Sequence, residues 1–80
     1  MFEAILRGQK PSRLFHEIVR ADPSVSNSQL SKLFREEFEN LDGLAAQIIW
    51  KWKRPDKEHG LDDKSVDAEL IKLLKEAGYI

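Results

Sequence analysis

Apolar residues recur along the chain with the three- and four-residue spacing of helices, and no stretch alternates between apolar and polar residues as a strand would. Three stretches each place their apolar residues on one face of a helix. The residues of these faces are Leu14, Phe15, Ile18 and Val19, then Leu30, Leu33, Phe34 and Phe38, and last Val66, Leu70, Leu73, Leu74 and Ala77. The pattern predicts an all-α fold.

Proline, glycine and turn-forming residues divide the chain into five helical segments. We predict a short N-terminal helix at about 2–7 and further helices at 11–21, 27–39, 44–54 and 63–77. A chain of 80 residues corresponds to one domain. The expected architecture is therefore a small single-domain bundle of four main helices plus the short N-terminal one.

Local signals support several of these boundaries. Gly8 is placed to stop the N-terminal helix, and Gly78 is a natural left-handed stop for the last one. Ser26 and Gln29 have the spacing of a capping box, in which each side chain bonds the other residue's backbone amide. The last helix begins at residue 62 or 63, with Asp62 as a candidate cap.

Composition places the chain among ordinary folded domains rather than disordered ones. Hydrophobic residues make up 41% of it and charged residues 34%. It has no cysteine, which excludes disulfides and thiolate metal sites, and no apolar run long enough to cross a membrane. The first residues lack the pattern of a signal peptide. We expect a cytoplasmic protein that does not bind membranes.

Two tryptophans stand two residues apart in the fourth predicted helix. Each residue turns a helix by about 100°, so Trp50 and Trp52 cannot share one face. The apolar arc of this helix contains Leu44, Ile48 and Ile49, and it includes Trp52 but not Trp50. We therefore predict that Trp52 belongs to the core, whereas Trp50 lies nearly opposite.

The sequence allows two interpretations of Trp50. In the first, Gly43 and Ala46 let the first or last helix approach and bury it, for example by docking of Phe2, Ile5 and Leu6. In the second, Trp50 is an exposed aromatic residue framed by cations, which contacts a partner. The candidate interaction surface is then formed by Trp50, Gln47, Lys53, Arg54 and Lys57.

The same segment allows a nucleic-acid interpretation. Residues 44–57 carry four basic side chains and one acidic one, and with the capped helix before them they resemble a helix-turn-helix in outline. Recognition helices read bases from their N-terminal half, where only Gln47 can read a base edge here. The alternative is nucleic-acid binding through Trp50 and the basic residues Lys51, Lys53, Arg54 and Lys57.

Three glutamates, Glu36, Glu37 and Glu39, end the third predicted helix, where negative charge opposes the helix dipole. They would also repel phosphate. They either pair with basic residues near the N-terminus or remain solvated as an acidic patch that suits a basic partner.

Residues for catalysis or metal binding do not cluster in the sequence. His16 is predicted on the surface of its helix and His59 in a polar loop, and neither has a second ligand at a metal-binding spacing. Phosphate-binding loops and nucleophile motifs are also missing. We therefore expect no enzyme, no cofactor and no metal. The leading hypothesis is a protein-interaction or regulatory module whose partner is another protein, or a second copy of itself.

Overall fold

The structure is a computed structural model that describes residues 1–41 and 43–80. It confirms the all-α prediction, because helices account for the regular structure in this part of the chain. A short 3-10 helix, Glu3–Arg7, comes first. Four α-helices follow: α1 Pro11–Ala21, α2 Asn27–Glu37, α3 Gly43–Trp50 and α4 Asp63–Glu76. Asp42, in the predicted turn between the third and fourth helices, lies outside the described residues.

The predicted helix caps are confirmed. The Ser26 hydroxyl accepts from the Gln29 amide at 3.1 Å, and the Gln29 side chain accepts from the Ser26 amide at 2.8 Å. Asp62 caps α4 by accepting from the amide of Ser65 at 2.8 Å. These bonds satisfy amides at the start of each helix that have no partner within it.

The predicted left-handed stop at Gly78 is confirmed, and α4 ends there in a Schellman arrangement. Gly78 has a φ of 87°, which L side chains rarely adopt. The amide of Tyr79 donates to the carbonyl of Leu74 at 2.9 Å, and the amide of Gly78 donates to that of Lys75 at 3.1 Å. The Tyr79 ring then packs edge-on against Phe38, which ties the end of α4 to the segment after α2.

Two helices receive their N-terminal caps from distant carboxylates. The Asp67 side chain, on α4, accepts from the Ser12 amide at 2.7 Å and from the Ser12 hydroxyl at 2.8 Å. Glu37, at the end of α2, accepts from the Phe2 amide through both oxygens, at 2.9 and 2.8 Å. Oε1 of Glu37 also lies 3.1 Å from the Met1 ammonium, so Glu37 does pair near the N-terminus, with the terminal ammonium as its charged partner. Glu36 and Glu39 are exposed.

The α3 helix ends at Trp50, four residues before the predicted end at 54. Beyond it, the amide of Lys53 donates to the carbonyl of Leu61 at 2.7 Å, and the amide of Leu61 donates to that of Lys51 at 2.6 Å. This short parallel bridge draws the chain out of helical geometry. It also requires Gly60, because a Cβ there would collide with the Lys51 carbonyl oxygen.

The core is built around aromatic rings. Phe2 packs edge-on against Phe15 and Phe34, and Trp52 packs against Phe15 with ring centroids 5.5 Å apart. Trp52 is 0% exposed, as predicted. Burying a tryptophan of this kind contributes about 3–5 kcal/mol relative to alanine. The buried aliphatic residues of this core come from the 3-10 helix, α2, the segment after α2, α3 and α4: Ile5, Leu30, Leu41, Ala45, Ile49, Val66, Leu70 and Leu74.

The N-terminal residues do not cover Trp50. Phe2 and Ile5 enter the core between α1 and α2, whereas Leu6 remains 42% exposed. Trp50 itself is 53% exposed. The interpretation in which another helix buries Trp50 is therefore wrong.

Candidate functional site

The Trp50 ring is exposed but held in one orientation. Its indole N–H donates to the hydroxyl of Ser31, on α2, at 3.0 Å. The Ser31 hydroxyl in turn donates to the carbonyl of Ser28 at 2.7 Å. Because both bonds reach groups on α2, the end of α3 and the indole are fixed relative to that helix.

Trp50 stands at one end of a groove between α2 and α3, with a volume of about 540 Å³. Ala46 and Trp50 form the α3 wall, and Ser28 and Ser31 line the opposite wall near the ring. Four charged side chains complete the lining on the α2 side: Lys32, Arg35, Glu36 and Glu39. These eight residues are called the Trp50 groove below.

Charge is ordered along this groove. A short connection makes α3 run antiparallel to α2, so Trp50 lies beside Ser31 and the first residue of α3 lies near Glu39. From the Trp50 end, the cations Lys32 and Arg35 come first and the anions Glu36 and Glu39 follow. Within residues 1–41 and 43–80, none of these four side chains forms an ion pair. Their charges are therefore directed to solvent.

Arg54 belonged to the predicted interaction surface, and the structure removes it from that surface. It is only 6% exposed. Its Nε donates to Asp56 at 2.7 Å, and its terminal nitrogens donate to the Asn27 side chain and the Pro23 carbonyl, both at 3.4 Å. Because α3 ends early, the chain turns back and Arg54 folds against the connection between α1 and α2.

Asn27 closes the C-terminal end of α3. Its side-chain amide donates to the carbonyls of Trp50, at 3.2 Å, and Trp52, at 3.0 Å. Carbonyls at a helix end have no partner within the helix, so this bond is favourable. Asn27 also accepts from Arg54, and the segment after Trp50 is thereby fixed to the start of α2.

The remaining predicted surface residues are exposed but do not lie together. The Lys57 ammonium donates to the Trp50 carbonyl at 3.5 Å and so lies close to the backbone of that residue. Lys53 is exposed on the bridge that follows α3. Gln47 lines a different groove, between α3 and α4, together with Lys51 and Ile48. The structure therefore brings Lys57 to Trp50 but separates Gln47 from it.

The α2 wall of the groove was not predicted from the sequence. The sequence interpretation of Glu36 and Glu39 is either pairing with basic residues near the N-terminus or an acidic patch, and it assigns Ser31, Lys32 and Arg35 to no site. The sequence did contain a signal for this wall. These residues fall outside the apolar face of α2, and an antiparallel α3 would lie beside part of that polar surface. Identifying which of them face α3 requires the register between the two helices.

A second polar cluster joins α1, α4 and the segment after α3. The Asp63 carboxylate accepts from the Trp52 indole N–H at 2.8 Å, and its other oxygen lies 2.8 Å from Nε2 of His16. His16 also packs edge-on against the Trp52 ring and is half-buried, so it is less exposed than predicted. Burial would raise the pKa of Asp63, but the hydrogen bonds from Trp52 and His16 outweigh it and lower that pKa.

Metal clusters and membrane-spanning helices are missing from residues 1–41 and 43–80. No group of three or more histidine, aspartate or glutamate side chains in this part of the chain is placed to hold a metal ion. None of the helices described combines the length and the apolarity needed to cross a membrane. Comparison with protein-family models, with curated proteins and with solved structures finds no match to this chain.

Proposed function

We propose that this chain is a small cytoplasmic protein-interaction module without catalytic activity, which binds a protein partner, either another protein or a second copy of itself, in the Trp50 groove. The observation that carries the proposal is the exposed Trp50 ring, held by its hydrogen bond to Ser31. A fixed aromatic side chain loses little conformational entropy on binding, and tryptophan is enriched among residues that dominate interface energies.

The lining of the groove supports a protein rather than a nucleic acid as the partner. Glu36 and Glu39 would repel phosphates along one half of it. The nucleic-acid hypothesis also counted Arg54, which is buried against Asn27 and Asp56. A protein segment with side chains of both signs can satisfy both halves of the groove.

Peptide selection tests the proposal even though the partner is unidentified. A random peptide library displayed on phage is selected against the parent chain, and the enriched peptides are measured by calorimetry with Trp50→Ala and Leu6→Ala. Leu6 is the matched control, because it is an exposed apolar side chain on the N-terminal helix. We expect Trp50→Ala to weaken binding by about tenfold or more and Leu6→Ala to leave it unchanged. Equal binding by both variants contradicts the proposal, as does failure to enrich any peptide with a chain that is also monomeric.

The nucleic-acid alternative is tested by titrating single- and double-stranded DNA and RNA at two salt concentrations. Binding at low salt that weakens steeply with added salt, and that is lost in a Lys53→Ala/Lys57→Ala double variant, would replace the proposal with this alternative. We expect no binding at either concentration, because burial of Arg54 leaves Lys51, Lys53 and Lys57 as the exposed cations of the basic segment, and the exposed acids Asp56 and Glu58 flank Lys57.

A further inference from the structure

We propose that the occupant of the Trp50 groove is a second copy of this chain, bound face to face about a two-fold axis that crosses the groove. This inference rests on the proposed function, because it names the partner of the same groove. In a two-fold dimer, a residue i that contacts residue j of the other copy implies a second contact, between residue j of the first copy and residue i of the second. Each such contact therefore occurs twice. The groove has the properties that this arrangement requires.

The first property is the order of its charges. With the axis crossing the groove near its middle, α2 of one copy lies antiparallel to α2 of the other. Lys32 then faces Glu39 of the second copy, and Arg35 faces Glu36 of the second copy. Each pair occurs twice by symmetry, so the four cations of the dimer meet its four anions.

The absence of internal partners strengthens this argument. Lys32, Arg35, Glu36 and Glu39 form no ion pair within residues 1–41 and 43–80. Intermolecular pairing would therefore break no ion pair within the part of either copy that the structure describes. A uniformly acidic or uniformly basic segment would meet like charge along half of the groove. A partner with the same ordered charges meets opposite charge throughout.

The second property is a small residue where the Trp50 ring of the other copy would lie. The same axis brings Trp50 opposite the beginning of α3 in the second copy. Two small residues, Gly43 and Ala46, lie there about one turn apart. Gly43 has no positive φ that would require glycine, and a Cβ at this position would contact nothing within the chain. Close approach of a large ring from outside gives a reason for glycine that the isolated chain does not.

Sedimentation of charge-reversed variants tests this arrangement. The parent chain is compared with Lys32→Glu, Glu39→Lys and the double variant carrying both changes. We expect the parent to dimerise and each single variant to dimerise about tenfold more weakly, because each change converts two attractive contacts into two repulsive ones. The double variant exchanges the two charges and restores attraction at both contacts, so its dimerisation returns to within about threefold of the parent.

Mixing the two single variants gives a sharper result. The Lys32→Glu variant has acidic residues at both positions 32 and 39, and the Glu39→Lys variant has basic residues at both. We expect each alone to be mostly monomeric and the equimolar mixture to form heterodimers. Lys64→Glu is the matched control, because it makes the same charge change on α4, outside the groove, and is expected to dimerise as the parent does. Circular dichroism confirms that each variant remains folded.

Several outcomes overturn this inference and leave the proposed function separately testable. A parent that is monomeric up to about 1 mM excludes a dimer of useful affinity. A dimer that the double variant and the mixture fail to restore excludes the antiparallel two-fold arrangement. In either case, peptides whose binding depends on Trp50 would still support a groove for another protein. If such peptides are also missing, the proposed function fails as well.

Discussion

Asp67 uses both oxygens of its carboxylate to hold Ser12, one oxygen on the backbone amide and the other on the hydroxyl, although 55 positions separate the two residues. Ser12 lies in the first turn of α1, whose preceding residue, Lys10, provides no side-chain cap. The negative charge of Asp67 lies at the positive end of the α1 dipole. A residue of α4 therefore does for α1 what Ser26 does locally for α2.

The Asp67 cap predicts a large effect of removing this carboxylate. Asp67 is 7% exposed, so Asp67→Ala leaves the Ser12 amide and hydroxyl buried without a partner. We expect the free energy of unfolding to fall by about 2–3 kcal/mol, measured by urea denaturation. Glu69→Ala, an exposed change on the same helix, is the control and should change it by less than about 0.5 kcal/mol. Equal effects of the two changes would contradict the assigned role.

The lowered pKa of Asp63 predicts a loss of stability in acid. A carboxyl group whose pKa is lower in the folded state stabilises that state above its unfolded pKa, and this contribution disappears as the pH falls through the folded pKa. Asp63→Asn should therefore unfold with a weaker dependence on pH below about 4 than the parent. Glu58→Gln, which removes one charge from the exposed connection before α4, should retain the parent's dependence. Parallel curves for the parent and Asp63→Asn would contradict this prediction.

Two glycines should respond in opposite ways to alanine. Gly60 has a φ of 142°, and a Cβ there would collide with the Lys51 carbonyl, so Gly60→Ala should destabilise the fold by about 2 kcal/mol or more. Gly43 has neither constraint, so Gly43→Ala should leave monomer stability unchanged or raise it by up to about 1 kcal/mol. Thermal unfolding at low protein concentration measures both. A Gly60→Ala variant as stable as the parent would show that the bridge does not depend on Gly60.

Arg54 and Lys53 are adjacent basic residues with different expected roles. Arg54→Ala removes a buried guanidinium that bonds Asp56, Asn27 and Pro23, and should cost about 2–3 kcal/mol. Lys53→Ala removes an exposed side chain and should cost less than about 0.5 kcal/mol. Chemical denaturation measures both costs. A stable Arg54→Ala variant would make this residue a candidate for binding again.

The sequence predicted the elements of this fold well where the determinants are local. The capping box at Ser26, the cap at Asp62 and the left-handed stop at Gly78 each involve residues within a few positions, and all three are confirmed. The predicted end of α3 was wrong, because the bridge to Leu61 competes with the helix and depends on a contact across a loop. The prediction placed the end at residue 54 because Pro55 follows it, and the residue before a proline is disfavoured in helical geometry.

Trp52 shows how a correct prediction can rest on incorrect geometry. Its burial was predicted from its angle on a helix, but the helix ends two residues earlier and Trp52 reaches the core from an extended segment. The α2 wall of the Trp50 groove could not be predicted for a related reason. It depends on the register between two helices, and apolar periodicity identifies the face of a helix without giving that register.

The distant caps also determine the order in which the chain can fold. The start of α1 and the N-terminal 3-10 helix are each completed by a carboxylate from elsewhere, Asp67 on α4 and Glu37 on α2. Contacts between residues far apart in sequence form only after the loop between them has closed, and that closure has an entropic cost. We therefore expect the hairpin of α2 and α3, which has the local cap at Ser26 and a short connection, to form first. The N-terminal helix and α1 would join it afterwards, and α1 would be fully capped only when α4 has docked.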